Sequence, residues 1–543
     1  MKTKENRSDF VILTVLFLIY AIYDYIWLLK NSFPPGQDEA WHLMSSLYYY
    51  NILTSGSIGS ILSIDTIQKI VNVEWYYPPF FKLFTAFVYI IVGSTSMTTA
   101  IMANVVFLGI LLFSTYGIGK QLFGREVGLL AAIIVSIYSS VFAYETTYLI
   151  DFSLMAMITL SIYMLLCTKL FTDFRYSLAF GIIFGLTLLT KWTAIFFIIG
   201  PLVYTTYCSF DVNRKDDISR KVIYIVLALI STVTIASIWY IPNGLTAYNL
   251  IEDTAPNYSL INGESPNIFS FSNLSYYLVA IIDQTSYLLT LIFIVGLMFL
   301  IRKNVDYIRN NSWFLLSWIV IPILVLTIQM NKNSRYSISV LPAIAIISAF
   351  WIVSMVERKS EQNKKVKILV ITIVVLILGS HIISMVNSMV NSMSYGNNND
   401  KDWKHEEILR FIKADIDIGK MDGINSTYDV NKSFWNIAVM VDSNFMSGRV
   451  FEYYSYKLGL PFSIYNCDYI GEQAFRDQFL SFDYLILKTG VGNKTNETGI
   501  YQSIMNNETI YFRQNEYNFM LIKREKLPDG SDIYIYRRRL IDD

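Results

Sequence analysis

Asp38 and Glu39 stand side by side in "PPGQDEAWHL", residues 34–43, just past the first long apolar run of the chain. An ionised carboxylate at a hydrocarbon boundary loses hydration unless a cation, a donor or water compensates it, so such acids tend to mark chemistry. The alternative is a wet loop. Further along, "VEWYYPPFFK" holds Glu74, Trp75, Tyr76, Tyr77 and Lys82, and "YETTYLIDFSL" holds Glu145 and Asp151. "LLTKWTA" holds Lys191, and "NKNSRYSISVLP" holds Lys332, Arg335 and Tyr336. A carboxylate can serve as general base towards an acceptor hydroxyl. Lysine and arginine can neutralise a phosphate leaving group, and aromatic rings such as Trp75 and Tyr76 can stack on a sugar face. Together these groups suit a phosphate-bearing lipid donor.

Each residue also has a plainer reading. Glu145 or Asp151 at a helix N-terminus is favoured by the helix dipole. Lys191 and Arg335 can snorkel to lipid headgroups, and Glu74 can be a solvated loop acid. Asp38 beside Glu39 in a Pro-flanked turn is the hardest to explain in this way. Joint placement therefore weighs more than any single member.

The elements that must position these residues follow from hydropathy. The chain has 543 residues, 54% of them hydrophobic and only 16% charged, with a mean hydropathy of +0.41. That lies outside the soluble range and implies a polytopic α-helical membrane protein. A formal net charge of zero gives no sign of a nucleic-acid partner. Cys167, Cys208 and Cys467 make no disulfide framework, and His42, His381 and His405 are too scattered for a His-rich metal site. "MKTKENRSDF" leads into an apolar run without a small-residue cleavage signature, so it is expected to remain as a span.

Runs able to cross a core of ~30 Å are expected near 10–30, 98–119, 127–143, 152–170, 177–190, 192–208, 222–241, 281–300, 312–331, 336–356 and 368–388, eleven in all. Residues 77–93 are apolar but short, open with two prolines and carry Lys82, so charge decides their status. If they do not cross, one side of the membrane receives nineteen basic residues and the other six. Basic loops face the cytoplasm, so 77–93 reads as a juxtamembrane or re-entrant helix on the outer face. The N-terminus is then cytoplasmic, and every candidate residue above falls on the outer side.

From about Ser392 the chain turns polar, with 18 Lys+Arg and 22 Asp+Glu, after the linker "SYGNNNDKDW". The runs "IAVMVD", "FDYLILK", "NFMLIKRE" and "DIYIYRRR" read as strands, "RVFEYYSYKLGL" as a helix, and "LPDGSDIYIY" as a hairpin turn. This predicts a membrane domain over 1–390, with 31–97 as its first extracytoplasmic loop, and an extracytoplasmic α/β domain over 391–543.

At these residues the chain resembles the GT-C membrane glycosyltransferases, in particular the group of protein O-mannosyltransferases and the aminoarabinose transferase of lipid A. The resemblance rests on six stretches in family order between residues 10 and 356: "DEAWH", "YYPPFFKLFTAFVYIIVG", "GKQLFGREVGLLAA", "YLIDFSLM", "GLTLLTKWTAIFF" and "SRYSISVLPAIAI". It implies a polyprenyl- or dolichyl-phosphate sugar donor, transfer on the extracytoplasmic face and inversion at the anomeric carbon. By resemblance Asp38 is the catalytic aspartate and Glu39 its usual neighbour. Asp151 matches the acid of the second outer loop, Lys191 the lysine of the fifth-to-sixth turn, and Arg335 with Tyr336 the pair that approaches the donor phosphate. Glu74 stands where some relatives have a metal-coordinating acid, so a divalent metal stays open as a cofactor.

The expected function is sugar transfer to a hydroxyl on a protein or glycan, in contact with membrane lipids and without nucleic acid. Asp38 and Glu39 are the catalytic candidates, and Lys191, Arg335, Tyr336 and Lys82 the donor-phosphate candidates. Asp151, Glu145, Trp75, Tyr76, Tyr77 and His42 are candidates for the acceptor or the sugar. A transporter or lipid flippase would instead place ionisable groups near the midplane on broken helices. A membrane-anchored binding protein would leave the outer-loop acids without a role.

Overall fold

Within lipid every backbone N–H and C=O must be satisfied inside its own segment, so the long apolar runs can only be helices. The computed structural model describes residues 2–31, 33–56, 63–210, 217–261, 269–302, 306–329, 331–362, 372, 379, 402–421, 433–440, 445–466, 472–489, 512–513, 515–528 and 530–539. The chain packs as two compact units. The first comprises Met1–Lys30, Tyr49–Pro256 and Ser265–Ser394, and the second Asn31–Tyr48, Asn257–Glu264 and Tyr395–Asp543.

The helices run in the order α1 (Lys2–Lys30), α2 (Gln37–Thr54), α3 (Ile64–Asn72), α4 (Phe80–Val92), α5 (Met97–Met102), α6 (Asn104–Phe123), α7 (Arg125–Ser136) and α8 (Ser139–Glu145). Then follow α9 (Ile150–Cys167), α10 (Phe174–Leu188), α11 (Ala194–Ser209), α12 (Ile218–Ile261), α13 (Phe271–Thr285), α14 (Tyr287–Arg302), α15 (Asp306–Ile328) and α16 (Leu341–Gln362). Among the described residues six helical stretches are long and apolar enough to cross a membrane, or up to eight if each bent pair counts as one span. The protein is a multi-pass membrane protein.

Two expected spans differ in shape. The run near 281–300 is broken at Ser286, whose φ of +78° no helix accommodates. Here α13 and α14 meet at a 115° bend, so the straight element begins at Tyr287. The run near 127–143 bends by 63° between α7 and α8. The span expected at 368–388 lies outside the described residues, apart from isolated positions.

"GKQLFGREVGLLAA" is explained by backbone contact between α6 and α7. A Cβ at Gly119 would lie 2.8 Å from the Gly128 Cα, so only small residues fit there. At the same turn Asp9 binds Arg125 Nε at 2.6 Å and Lys120 Nζ at 3.3 Å, tying the start of α1 to the basic end of these helices.

The second unit is built on a five-stranded sheet, β1 (Trp435–Met440), β2 (Phe462–Asn466), β3 (Tyr484–Thr489), β4 (Phe519–Lys526) and β5 (Asp532–Arg538), in spatial order β2-β1-β3-β5-β4. β1 runs parallel to β2 and β3, whereas β5 is antiparallel to β3 and β4. Period-two alternation sends Ile437 and Val439 to one face, against Ile408, Leu409, Ile412 and Ile416 of α17 (His405–Met421). Ala438 and Met440 face the opposite cluster of Phe475, Phe479 and Phe482. α18 (Gly448–Lys457) precedes β2, which completes a small α/β domain. β4 and β5 do pair as the expected hairpin, with Gly530 at φ +81° in the connection between them.

Candidate functional site

In the first unit, three of the candidates converge through different elements. Asp151 lies in the first turn of α9, where the helix dipole favours an acid. Lys191 lies in the turn between α10 and α11. That turn is clamped from two sides: the Phe80 N–H donates to the Leu189 carbonyl at 2.9 Å, and the Tyr240 hydroxyl to the Leu188 carbonyl at 3.0 Å. The role of the Tyr-Pro-Pro stretch is visible here, since Pro79 caps α4 and leaves the Phe80 N–H to hold the lysine turn. Arg335 and Tyr336 open a 3-10 turn, Ser334–Val340. The Asn333 side chain accepts from the Arg335 N–H at 3.1 Å, and Gln284 Nε2 donates to the Ser334 carbonyl at 2.6 Å.

The result is a buried charge cluster. Lys191 Nζ sits 2.7 Å from Asp151 Oδ1, and Arg335 Nε 3.6 Å from Asp151 Oδ2. Lys191 also lies 4.7 Å from the Tyr336 ring and 5.9 Å from the Tyr77 ring. One carboxylate faces two cations in a place where solvent screens little, which strengthens their mutual attraction. Snorkelling accounts poorly for a lysine whose side chain is 4% exposed and hydrogen-bonded to a buried acid.

Other candidates are engaged differently. Lys82, fully buried, forms an ion pair with Glu74, and Trp239 Nε1 donates to the Glu74 carbonyl at 3.0 Å. Lys82 is thus neutralised within the protein, which weakens the expectation that it meets the donor phosphate. Glu74 has a lysine as its counter-charge, and among the described residues no group of three or more His, Cys, Asp or Glu side chains gathers to hold a metal ion. The residues present do not fit a metal site at Glu74. Tyr76 packs edge-on against Tyr77 at 4.4 Å, and Trp75 is half-exposed. Lys332 caps the end of α15, donating to the Leu326 and Thr327 carbonyls.

Glu145 takes no part in the Asp151 ion pairs. It lies buried on α8 beside Asp24 of α1, two carboxyl groups facing each other. Asp24 escaped the reading of the sequence, although an aspartate inside the apolar "AIYDYIW" is a signal in its own right.

In the second unit, Asp38, Glu39 and His42 lie at the start of α2. Glu39 has a structural job: its Oε2 accepts from the Gly36 N–H at 2.8 Å, the return half of a capping box that fixes the helix start. Asp38 is then presented from the first turn of this helix. This segment packs on the sheet domain within the same unit. Phe33 stacks on Phe445, the Arg449 guanidinium lies 4.3 Å over the Trp41 ring, and Tyr48 meets Tyr456 at 4.3 Å. Burial pushes the Glu452 carboxyl above its usual range, against the pull of Arg449, and raises the Tyr48 hydroxyl, with Glu452 adding to the effect. Burial also holds His405 down, to about 4, against the pull of the Phe445 carbonyl its ring meets at 2.8 Å. Arg449 and Glu452 carry no sequence signal that would have singled them out, because the tail offers many such charges.

A family model described as dolichyl-phosphate-mannose-protein mannosyltransferase matches residues 77–241. No curated relative matches the chain in sequence. Among solved structures the chain is similar to ArnT from Cupriavidus metallidurans in the apo state, with 12% identity, 96% of this chain and 97% of that one covered, and a TM-score of 0.55. The same protein bound to undecaprenyl phosphate gives 12% identity over 96% and 97% of the two chains, with a TM-score of 0.53. The oligosaccharyltransferase AglB from Archaeoglobus fulgidus, in complex with an inhibitory peptide and a dolichol-phosphate, gives 11% identity over 97% and 74% of the chains, with a TM-score of 0.55.

Proposed function

We propose that this chain, which belongs by its fold to the GT-C membrane glycosyltransferases, transfers a sugar from a polyprenyl- or dolichyl-phosphate donor to a hydroxyl on a protein or glycan. The observation that carries the reading is the buried Asp151–Lys191–Arg335 cluster, which brings two cations from different structural elements to one place. A lipid-phosphate sugar is a phosphodiester with one negative charge, and its leaving phosphate gains another as the bond to the sugar breaks. Preorganised cations in a dry site stabilise such developing charge at no cost of reorganisation. The complexes of the two structural relatives, one with undecaprenyl phosphate and one with dolichol-phosphate, support the same donor class.

In the reaction proposed, the acceptor oxygen attacks the anomeric carbon while its proton passes to the Asp38 carboxylate. The carbon–oxygen bond to phosphate breaks with its electron pair, leaving lipid phosphate against Lys191 and Arg335, and the anomeric centre inverts. Glu39 orients the helix that presents Asp38. The nineteen-to-six distribution of basic residues supports a cytoplasmic N-terminus and an extracytoplasmic tail. The proposal divides the chain into a membrane domain over 1–390 and the extracytoplasmic domain over 391–543.

The test is to incubate purified protein with a panel of labelled polyprenyl-phosphate sugars and acceptors, in sealed proteoliposomes. Label that moves from lipid into a new glycosidic bond supports transfer. Label that crosses the membrane still attached to its lipid identifies a flippase and overturns the reading.

A further inference from the structure

A cavity of about 230 Å³ opens within the second unit, lined by Trp41, Met44, Arg449 and Glu452. Its two sides come from α2 and α18, held in register by three ring contacts, Phe33 with Phe445, Trp41 with Arg449 and Tyr48 with Tyr456. Trp41 follows Asp38 by three residues on the same helix, a rise of roughly 4.5 Å and nearly one full turn. The cavity therefore begins one turn from the carboxylate assigned to the acceptor proton. A cavity of this size is below the roughly 300–1,000 Å³ of drug-sized ligand sites, so it takes one ring and not an extended chain.

The lining selects the chemistry. Arg449 only donates hydrogen bonds and the Glu452 carboxyl oxygens accept them, while Trp41 and Met44 offer apolar surface. The complement is a small ring whose polar groups both donate and accept and whose other face is apolar. Vicinal hydroxyls on a pyranose meet that description. A peptide bound as an added strand does not, since it would need a strand edge, and this cavity is lined from two helices.

We propose that Trp41, Met44, Arg449 and Glu452 form an acceptor subsite that binds one pyranose ring beside Asp38, so that the acceptor hydroxyl is presented by a glycan. This rests on the transferase reading and assigns its acceptor class. The domain after the membrane helices then supplies half of acceptor recognition, through α18.

The test is binding, measured without donor so that its failure is distinct from failure of transfer. Full-length protein in detergent is titrated with a panel of methyl pyranosides by saturation-transfer NMR, beside a Ser/Thr-containing peptide. The expected result is saturable binding of at least one pyranoside that weakens about tenfold or more in Arg449→Ala and in the near-isosteric Glu452→Gln, with helical content unchanged. Pyranoside binding untouched by both substitutions overturns the proposal. So does the absence of any saturable pyranoside signal, whether or not the peptide binds.

Discussion

Lys191→Met separates a structural ion pair from a phosphate site. Lys191 Nζ and Asp151 Oδ1 lie 2.7 Å apart, with both side chains 4% exposed. Removing one partner of a buried pair strands the other charge, at a cost of about 3–5 kcal/mol. Arg335 stays 3.6 Å from the other Asp151 oxygen and holds part of the charge, so the low end of that range, about 3 kcal/mol, is expected. Asp151→Asn on the same background removes the stranded carboxylate, and thermal unfolding of Lys191→Met/Asp151→Asn should recover most of the loss. Donor-dependent turnover should not recover. A charge-assisted hydrogen bond to phosphate contributes about 1.5–3 kcal/mol, so both Lys191→Met and the double variant should use lipid-phosphate donor roughly 10- to 100-fold less well than their Lys191 counterparts. The assay is kcat/KM for donor in detergent, with the Asp151→Asn single variant as reference. A double variant that regains both stability and turnover would show that Lys191 only balances Asp151.

Three further outcomes follow from the same structure. Arg335→Lys keeps the charge but loses the planar fork, so donor KM should rise while the fold holds; wild-type donor kinetics would remove Arg335 from the phosphate site. His405 is neutral in the fold because its value is held to about 4, below the 6.5 of a free histidine. The unfolded chain therefore binds the extra proton, so the contribution of neutral His405 to the sheet domain should be complete above pH 6.5 and be lost progressively, up to about 3 kcal/mol, as pH falls towards 4. Hydrogen exchange at β1 in the full chain measures this, and His405→Gln should flatten the slope. On a background free of Cys167, Cys208 and Cys467, a cysteine placed at Gln478 should react with impermeant thiol reagents in intact cells and one at Ser219 should not; the reverse pattern would invert the topology.

Much of the architecture was legible in the sequence because lipid leaves the chain few options. Apolar runs must be helices, and the turn chemistry of "LPDGSDIYIY" marked its hairpin directly. Bends were not legible: the break at Ser286 depends on one non-glycine residue at positive φ, which composition does not announce. β2 and α17 were missed because β2 is a five-residue strand and α17 follows the polar linker closely. In the candidate site, Lys191 and Arg335 were read together at the donor phosphate and Asp151 apart from them, among the acceptor or sugar candidates; the meeting of all three depends on turns fixed by Phe80, Tyr240 and Gln284, which are long-range contacts. Glu74 and Lys82 were given separate roles, yet eight residues apart they pair with each other. Glu39 could have been recognised as a cap from its place three residues after Gly36.

Turnover of a labelled polyprenyl-phosphate sugar by wild type and Asp38→Asn, run side by side with donor affinity measured for each, tests the central claim most directly. With Asp38 as the base that takes the acceptor proton, the substitution should slow transfer by about 10²-fold or more, leave donor affinity within a few-fold, and leave the wild-type product inverted at the anomeric carbon. Transfer by Asp38→Asn at a rate within a few-fold of wild type, or a wild-type product with retained configuration, would contradict the account.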